Sequence, residues 1–317
     1  MALYMGLDVG GTFVKGIIID ENGKLICEDS IPTVTGEGLA DCIESLAETL
    51  VRHSGLMFSA IEGAGVGCPG LIDSAEGKVI FAGNMRLRDY PLQKLLQDKL
   101  GITVKICNDA NAAALGEARF GAGKGYKDSV LITLGTGVGG GIVIDGKLFE
   151  GYKSAGAEIG HTVIEQGGAR CTCGRRGCFE AYCSARALTA RTKWAMEEDT
   201  SSAMWDTYTN DTADGRTAFE YMDTDRTARK VVDWYLKYLN CGIANMANIF
   251  RPQIIMLGGG VAAQGTRLSA PLQQMLDKEI FAGTDYAPVR VECATLGNRA
   301  GAYGAAALNI KQVGNEE

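Results

Sequence analysis

Three groups of residues in this 317-residue sequence have types and spacing suited to chemistry. The first is a pair of glycine turns, Asp8-Val-Gly-Gly-Thr12 and Leu134-Gly-Thr-Gly-Val-Gly-Gly-Gly141. Backbone N–H groups exposed in such turns, with a threonine hydroxyl beside them, suit phosphate oxygens, and glycine leaves room for the approach. A carboxylate just before the first turn would repel a bare phosphate, so Asp8 makes sense with Mg²⁺ between them, directly or through water. The second group is His161, Cys171, Cys173 and Cys178. Four such ligands suit a tetrahedral structural Zn²⁺ and leave no position open for water, which argues against a catalytic metal. His161 is one of only two histidines, and the other, His53, reads as an ordinary core or surface residue. The third group is Asn108-Asp109-Ala-Asn111, between an apolar run and an alanine-rich stretch. On its own, Asn108 or Asp109 there reads as a helix cap.

The second turn contains Gly135-x-Gly137-x-x-Gly140, a formal match to the dinucleotide-binding fingerprint, with Glu158 as the acid expected about 20 residues later. That fingerprint requires a helix to start at the loop, because the pyrophosphate sits on the helix N-terminus. Here Gly141 to Ile144 reads as a β-branched strand and Asp145-Gly146 as a hairpin turn. A nicotinamide oxidoreductase therefore rests on the glycines alone. No GxxxxGK[ST] occurs, so a P-loop is excluded.

These groups need elements to hold them. Tyr4–Val9, Phe13–Asp20 and Lys24–Glu28 read as a meander, turned at Gly10-Gly11-Thr12 and at Asn22-Gly23. Leu39, Cys42, Ile43, Leu46 and Leu50 mark a helix. A strand at Gly63–Gly67, a loop, a helix from Pro91 to Gly101, a strand at Val104–Cys107 and a helix at Asp109–Phe120 follow. Val130 to Glu150 then repeats the opening: strand, glycine-threonine turn, strand, Asp-Gly hairpin, strand. We read this as an internal repeat of two domains. Thr227–Phe250 is a long helix, Ile254–Leu257 a strand running into Gly258-Gly259-Gly260, Leu268–Ile280 a helix and Val289–Cys293 a strand. The last helix, from about Asn298, is rich in Gly and Ala and suited to close packing on a sheet. Residues 195–230 are polar and acidic and read as a surface excursion without chemistry.

Composition sets the wider bounds. Hydrophobic content of 46% and charged content of 22% are those of a globular protein, and 317 residues suffice for two cores. With net charge −7 and no Lys/Arg-rich run, a small-molecule ligand is expected and nucleic acid is not. A strand by residue 4 leaves no room for a signal peptide or DNA-reading module ahead of it, and no apolar stretch could span a bilayer. A cytoplasmic protein without a membrane partner is expected, its seven scattered cysteines reduced and buried.

In their order from about residue 4 to 310, these motifs, together with Glu158-Ile-Gly-His161, Cys171-Thr-Cys-Gly-Arg-Arg-Gly-Cys-Phe-Glu180 and Leu257-Gly-Gly-Gly260, resemble the ROK family of sugar kinases and repressors, its bacterial glucokinases above all. The resemblance implies an α/β actin/hexokinase-like fold, a duplicated ribonuclease H-like unit with ATP in an interdomain cleft. Residues 1–115 with 295–317 would form the small domain, and 116–294 the large domain with the zinc loop. Asp109 would be the base that accepts the sugar hydroxyl proton. Gly70, Asn84, Asn108, Glu158, His161 and Glu180 would join it at the sugar. Asp8, Gly10, Gly11, Thr12, Lys15, Thr136 and Gly137 would meet the ATP phosphates, and Gly258 and Gly259 the adenosine. The spacing C-x-C-x4-C is the family's zinc pattern, and Ala157 stands where many members have glycine, a change expected to be neutral.

The activity implied is ATP- and Mg²⁺-dependent transfer of the γ-phosphoryl group to a hexose, foremost the 6-OH of glucose, by a homodimer or homotetramer. N-acetylglucosamine, N-acetylmannosamine, fructose and allose are alternative substrates within the family, and polyphosphate or ADP alternative donors. The family's repressors add an N-terminal helix-turn-helix, against which the early first strand and acidic charge weigh.

Overall fold

The computed structural model of the chain describes residues 2–311. The first strands form as their residues dictate. β1 (Leu3–Val9), β2 (Phe13–Asp20) and β3 (Leu25–Pro32) pair antiparallel in sequence, with Asp8 opposite Lys15. At the second turn the Asp20 carboxylate accepts the N–H groups of Asn22 and Lys24, both at 2.9 Å, which fixes the hairpin. Helix α1 (Leu39–Ser54) buries Leu39, Ile43, Leu46 and Leu50 at helical spacing and stops at Gly55, whose φ is 70°. Truncating any of those leucines to alanine would cost about 2–5 kcal/mol. β4 (Ile61–Cys68) then runs parallel to β1.

The stretch after β4 is more than a loop. β5 (Leu71–Asp73), β6 (Lys78–Ala82) and β7 (Leu87–Tyr90) make a small antiparallel sheet, anchored by buried Ile72, Val79, Ala82 and Leu87. Three to five residues per strand are too few to show a period in the sequence. α2 (Leu92–Leu100) follows Pro91, β8 (Val104–Asn108) pairs parallel to β4, and α3 (Asp109–Phe120) leaves its end directly.

β9 (Ser129–Leu134), β10 (Val138–Ile144) and β11 (Lys147–Leu148) repeat the opening meander. Strand β10 begins at Val138, earlier than the sequence suggests, so the glycine turn enters a strand with no helix between. That geometry removes the dinucleotide reading. Next come α4 (Glu180–Cys183), α5 (Ala185–Glu198), α6 (Thr217–Tyr221), α7 (Arg226–Phe250), β12 (Ile254–Gly258), α8 (Thr266–Glu279), β13 (Arg290–Cys293) and α9 (Ala300–Ala307). The two large sheets have matching orders, β3-β2-β1-β4-β8 and β11-β10-β9-β12-β13. The internal repeat is thus a repeat of topology.

The chain divides into two compact units. The first comprises residues up to Ser129, Gly141–Ala157 and the chain from Thr295; the second comprises Val130–Gly140 and Glu158–Ala294. The expected break after residue 115 falls inside α3, whose hydrogen bonds and packing on α9 keep residues 116–129 with the first unit. In that unit α1 packs on β2 and β3, and α9 packs on β1, β2 and β4. The contact of α3 with α9 is backbone against backbone. A Cβ at Gly304 would lie 1.5 Å from the Ala112 carbonyl oxygen, so only glycine allows it.

Residues 195–230 are not a mere surface excursion. Met196, Met204, Thr217, Ala218 and Phe219 are fully buried, and Phe219 meets Tyr235 edge-on with ring centroids 6.3 Å apart. Asp225 caps α7 through the N–H groups of Thr227 and Ala228, and its other oxygen holds Ser202 and Ala203. All ten cysteines are free thiols, and no described helix is long and apolar enough to cross a membrane.

Candidate functional site

Asp8 stands near the end of β1, just before the first glycine turn. The turn is held from behind: the Gly10 N–H donates to Phe13 O at 3.0 Å, the Thr33 N–H to Thr12 O at 2.9 Å, and the Thr33 hydroxyl to Gly10 O at 2.8 Å. Gly11 and Thr12 are left exposed, and a Cβ on Gly11 would meet nothing within 4 Å. The Asp8 carboxylate accepts no hydrogen bond from a described residue. Burial, and then the nearby Asp109 carboxylate, push its pKa up to about 6, while Lys15 pulls the other way. A Cβ at Gly301 of α9 would lie 2.6 Å from that carboxyl carbon, so glycine lets the last helix close against Asp8.

Asp109 is the first residue of α3, and Asn108 is its cap. Asn108 Oδ1 accepts the N–H groups of Ala110 at 2.9 Å and Asn111 at 3.3 Å, and its amide donates to Gly70 O at 3.1 Å. The capping reading of Asn108 is therefore correct, and one amide hydrogen remains for a ligand. Burial raises the pKa of Asp109, although the Ala110 N–H, at 3.0 Å from its Oδ1, favours the charged form. It is thus a stronger base than an exposed aspartate. Asn84 lies exposed in the turn between β6 and β7, and no hydrogen bond ties it to Gly70 or Asn108.

In the second unit the Gly135 N–H donates to Gly137 O at 3.0 Å and the Ala185 N–H to Gly135 O at 2.8 Å, leaving Thr136 exposed. Glu180 braces this turn. Its Oε2 accepts the Val138 N–H at 3.1 Å, and its Oε1 accepts the Thr172 hydroxyl at 2.8 Å. A Cβ on Gly137 would come within 2.4 Å of the same carboxylate. Gly258 ends β12, and Gly259 follows in the left-handed region at φ 81°.

Thr172 lies between the first two cysteines of the expected zinc set. The ligand atoms of His161, Cys171, Cys173 and Cys178 all fall within 4.8 Å of one another. Cys173 Sγ and Cys178 Sγ are 3.7 Å apart, as are Cys171 Sγ and His161 Nδ1. With Zn–S bonds of about 2.3 Å, tetrahedral corners stand about 3.8 Å apart, close to those two separations, so the cluster suits Zn²⁺. With Nδ1 turned to the thiols, His161 Nε2 remains for another partner. Glu158 is exposed, and its carbonyl accepts the His161 N–H at 3.1 Å. The residue before it corrects an expectation. Ala157 has φ 62°, where a Cβ is strained, so alanine instead of glycine is not neutral there.

Sequence reasoning missed Glu117, inside α3. Fully buried, its carboxylate accepts the N–H groups of Ala122 at 3.0 Å, Thr295 at 3.1 Å and Leu296 at 2.7 Å. It joins the helix that begins with Asp109 to the segment that leads into α9. The only available signal was an acid within an alanine-rich helix.

Two sheets of one topology, each with a glycine turn between its first two strands, define the actin/hexokinase-like fold. Residues 4–312 match the ROK family, and the chain belongs to it. It is 39% identical to a glucokinase of Halalkalibacterium halodurans, over 99% of this chain and 98% of the relative. A glucokinase of Streptomyces coelicolor is 36% identical over 97% of this chain and 98% of its own. Among solved structures, a ROK family glucokinase from Streptomyces griseus in complex with glucose and AMPPNP superposes with a TM-score of 0.81 at 34% identity, covering 97% of this chain and 99% of the other.

Proposed function

We propose that the protein is an ATP-dependent sugar kinase that phosphorylates glucose at its 6-hydroxyl. The observation that carries this reading is the pairing of two half-buried carboxylates, Asp8 and Asp109, beside an open glycine turn. Phosphoryl transfer demands little covalent chemistry of the protein; it needs positioning, charge stabilisation and a late acceptor for one proton. In this reading the sugar oxygen bonds to the γ-phosphorus as the bond from that phosphorus to the bridging oxygen of ADP breaks. Asp109 takes the hydroxyl proton, and its raised pKa brings it closer to the working pH.

In this reading Asn108, Gly70, Asn84, Glu158, His161 Nε2 and Glu180 serve the sugar. Gly10, Gly11, Thr12 and Lys15, with Thr136 and Gly137, serve the phosphates; Gly258 and Gly259 serve the adenosine. Asp8 would hold Mg²⁺, for which an unpaired carboxylate repelled by its neighbour is a fitting ligand. When bound, that ion neutralises charge on the phosphates. His161, Cys171, Cys173 and Cys178 would hold Zn²⁺, which would fix the loop that carries Thr172 and so the orientation of Glu180. The family resemblance further supports a cytoplasmic homodimer or homotetramer, which light scattering would check.

Coupled ADP release measured across glucose, N-acetylglucosamine, N-acetylmannosamine, fructose and allose tests the reading, with glucose expected to give the highest kcat/KM. No turnover with any hexose would sink it. Asp109→Asn should abolish turnover while sugar binding persists; near-normal turnover would remove Asp109 as the base.

A further inference from the structure

The first unit contains a cavity of about 380 Å³ that none of the residues assigned above lines. Its walls carry three cations, Lys105, Arg119 and Lys147, against one carboxylate, Glu150. Lys105 Nζ donates to Leu308 O at 2.8 Å, and Arg119 Nη1 to Ala307 O at 3.1 Å and Ile310 O at 2.9 Å. Those bonds hold the end of α9, and neither cation has a carboxylate partner among the described residues. Lys147 is exposed and also makes no ion pair among the described residues. Arg119 is half-buried, and burial works against its charge.

Glu150 has the complementary need. Its Oε2 accepts the Ser74 hydroxyl at 2.9 Å, but its Oε1 is buried with no donor among the described residues. A buried oxygen of that kind is costly until a donor reaches it. The cavity volume lies in the range of about 300–1,000 Å³ typical of small-molecule sites. An excess of positive charge selects an anion, which the Arg119 guanidinium can meet in bidentate fashion. The orphan carboxylate oxygen selects a hydroxyl on the same molecule.

We propose that this cavity is a second ligand site, taking a small hydroxylated phosphate of the sugar phosphate class, with its phosphate on Arg119 and Lys147 and a hydroxyl on Glu150 Oε1. The choice of sugar phosphate rests on the kinase reading, whose product has that chemistry. The site adjoins both elements that hold Asp109. Cys107 in its wall immediately precedes Asn108 on β8, and Arg119 lies on the helix that Asp109 starts, roughly 15 Å along its axis.

Calorimetric titration of the full-length protein with glucose 6-phosphate tests this. One binding equivalent is expected to persist in Asp109→Asn and to weaken at least about tenfold in Lys147→Ala, the scale of a lost charged hydrogen bond. Lys147→Arg should restore it, and turnover without glucose 6-phosphate should be unchanged in Lys147→Ala. Glu150→Gln should weaken glucose 6-phosphate but not inorganic phosphate, and inorganic phosphate should bind more weakly than the sugar phosphate. Absence of any equivalent that depends on Lys147 would overturn the proposal. So would inorganic phosphate binding as tightly as glucose 6-phosphate, which would make the cavity a plain anion pocket. These are binding readouts, so failure of the kinase assay with every hexose would leave them standing.

Discussion

Asp8→Asn should make the first unit more stable while destroying activity, and the gain should depend on pH. The wild-type carboxyl titrates at about 6 in the fold against 3.8 as its ordinary value. The folded state therefore holds this proton more tightly than the unfolded chain does. Stability from the neutral form is complete below about pH 4 and is lost as pH rises through 6. A difference of about two pKa units at 1.36 kcal/mol each puts the cost of the charged carboxylate at about 3 kcal/mol. Asparagine keeps the shape without the charge. The variant should gain about 1.5 kcal/mol at pH 5 and about 3 kcal/mol at pH 8. Tryptophan fluorescence is the wrong probe, because Trp194, Trp205 and Trp234 all lie in the second unit. Amide hydrogen exchange of β1 and α9 peptides reads the first unit directly. An equal gain at both pH values, or a loss at pH 8, would refute the assignment of burial and Asp109 as the cause.

Other perturbations separate packing from chemistry. Gly304→Ala should cost about 3 kcal/mol or more, because its Cβ would overlap the Ala112 carbonyl, and a lowered melting temperature would show it. Gly11→Ala, with open space around its Cβ, should leave melting unchanged and weaken nucleotide binding. Ala157→Gly should stabilise by up to about 1 kcal/mol in denaturant titration by relieving its left-handed backbone; destabilisation would contradict the strain. Elemental analysis should find about one zinc per chain, and Cys178→Ser should lose it along with exchange protection in residues 158–180.

Local patterns made the repeat legible, because a glycine turn between two β-branched runs and an Asn/Asp-Gly hairpin is written in adjacent residues. The His/Cys cluster was legible for a similar reason: three cysteines lie within 17 positions of His161, counting 161 to 178. What stayed hidden depends on distant partners. Glu117 bonds Thr295 and Leu296 across most of the chain, and nothing near it in sequence announces them. Met196, Met204 and Phe219 are buried from a stretch too polar to show a helical stripe. The φ of Ala157 is imposed by its surroundings, since alanine by itself disfavours that region.

The closure of α9 on Asp8 also sets a timetable for synthesis. The elements from β1 to α3 leave the ribosome early, but the helix that fills in beside β1, β4 and α3 is encoded after residue 299. At about 5–20 residues per second, the interval between completing α3 and completing α9 is roughly 10 to 40 s. Throughout that time the faces of Gly6, Gly65 and Gly116, which α9 later covers, remain without their partner. The second unit, made of Val130–Gly140 and Glu158–Ala294, is synthesised in full before the first can finish folding. In the order of birth, the first unit of this enzyme is the last to mature.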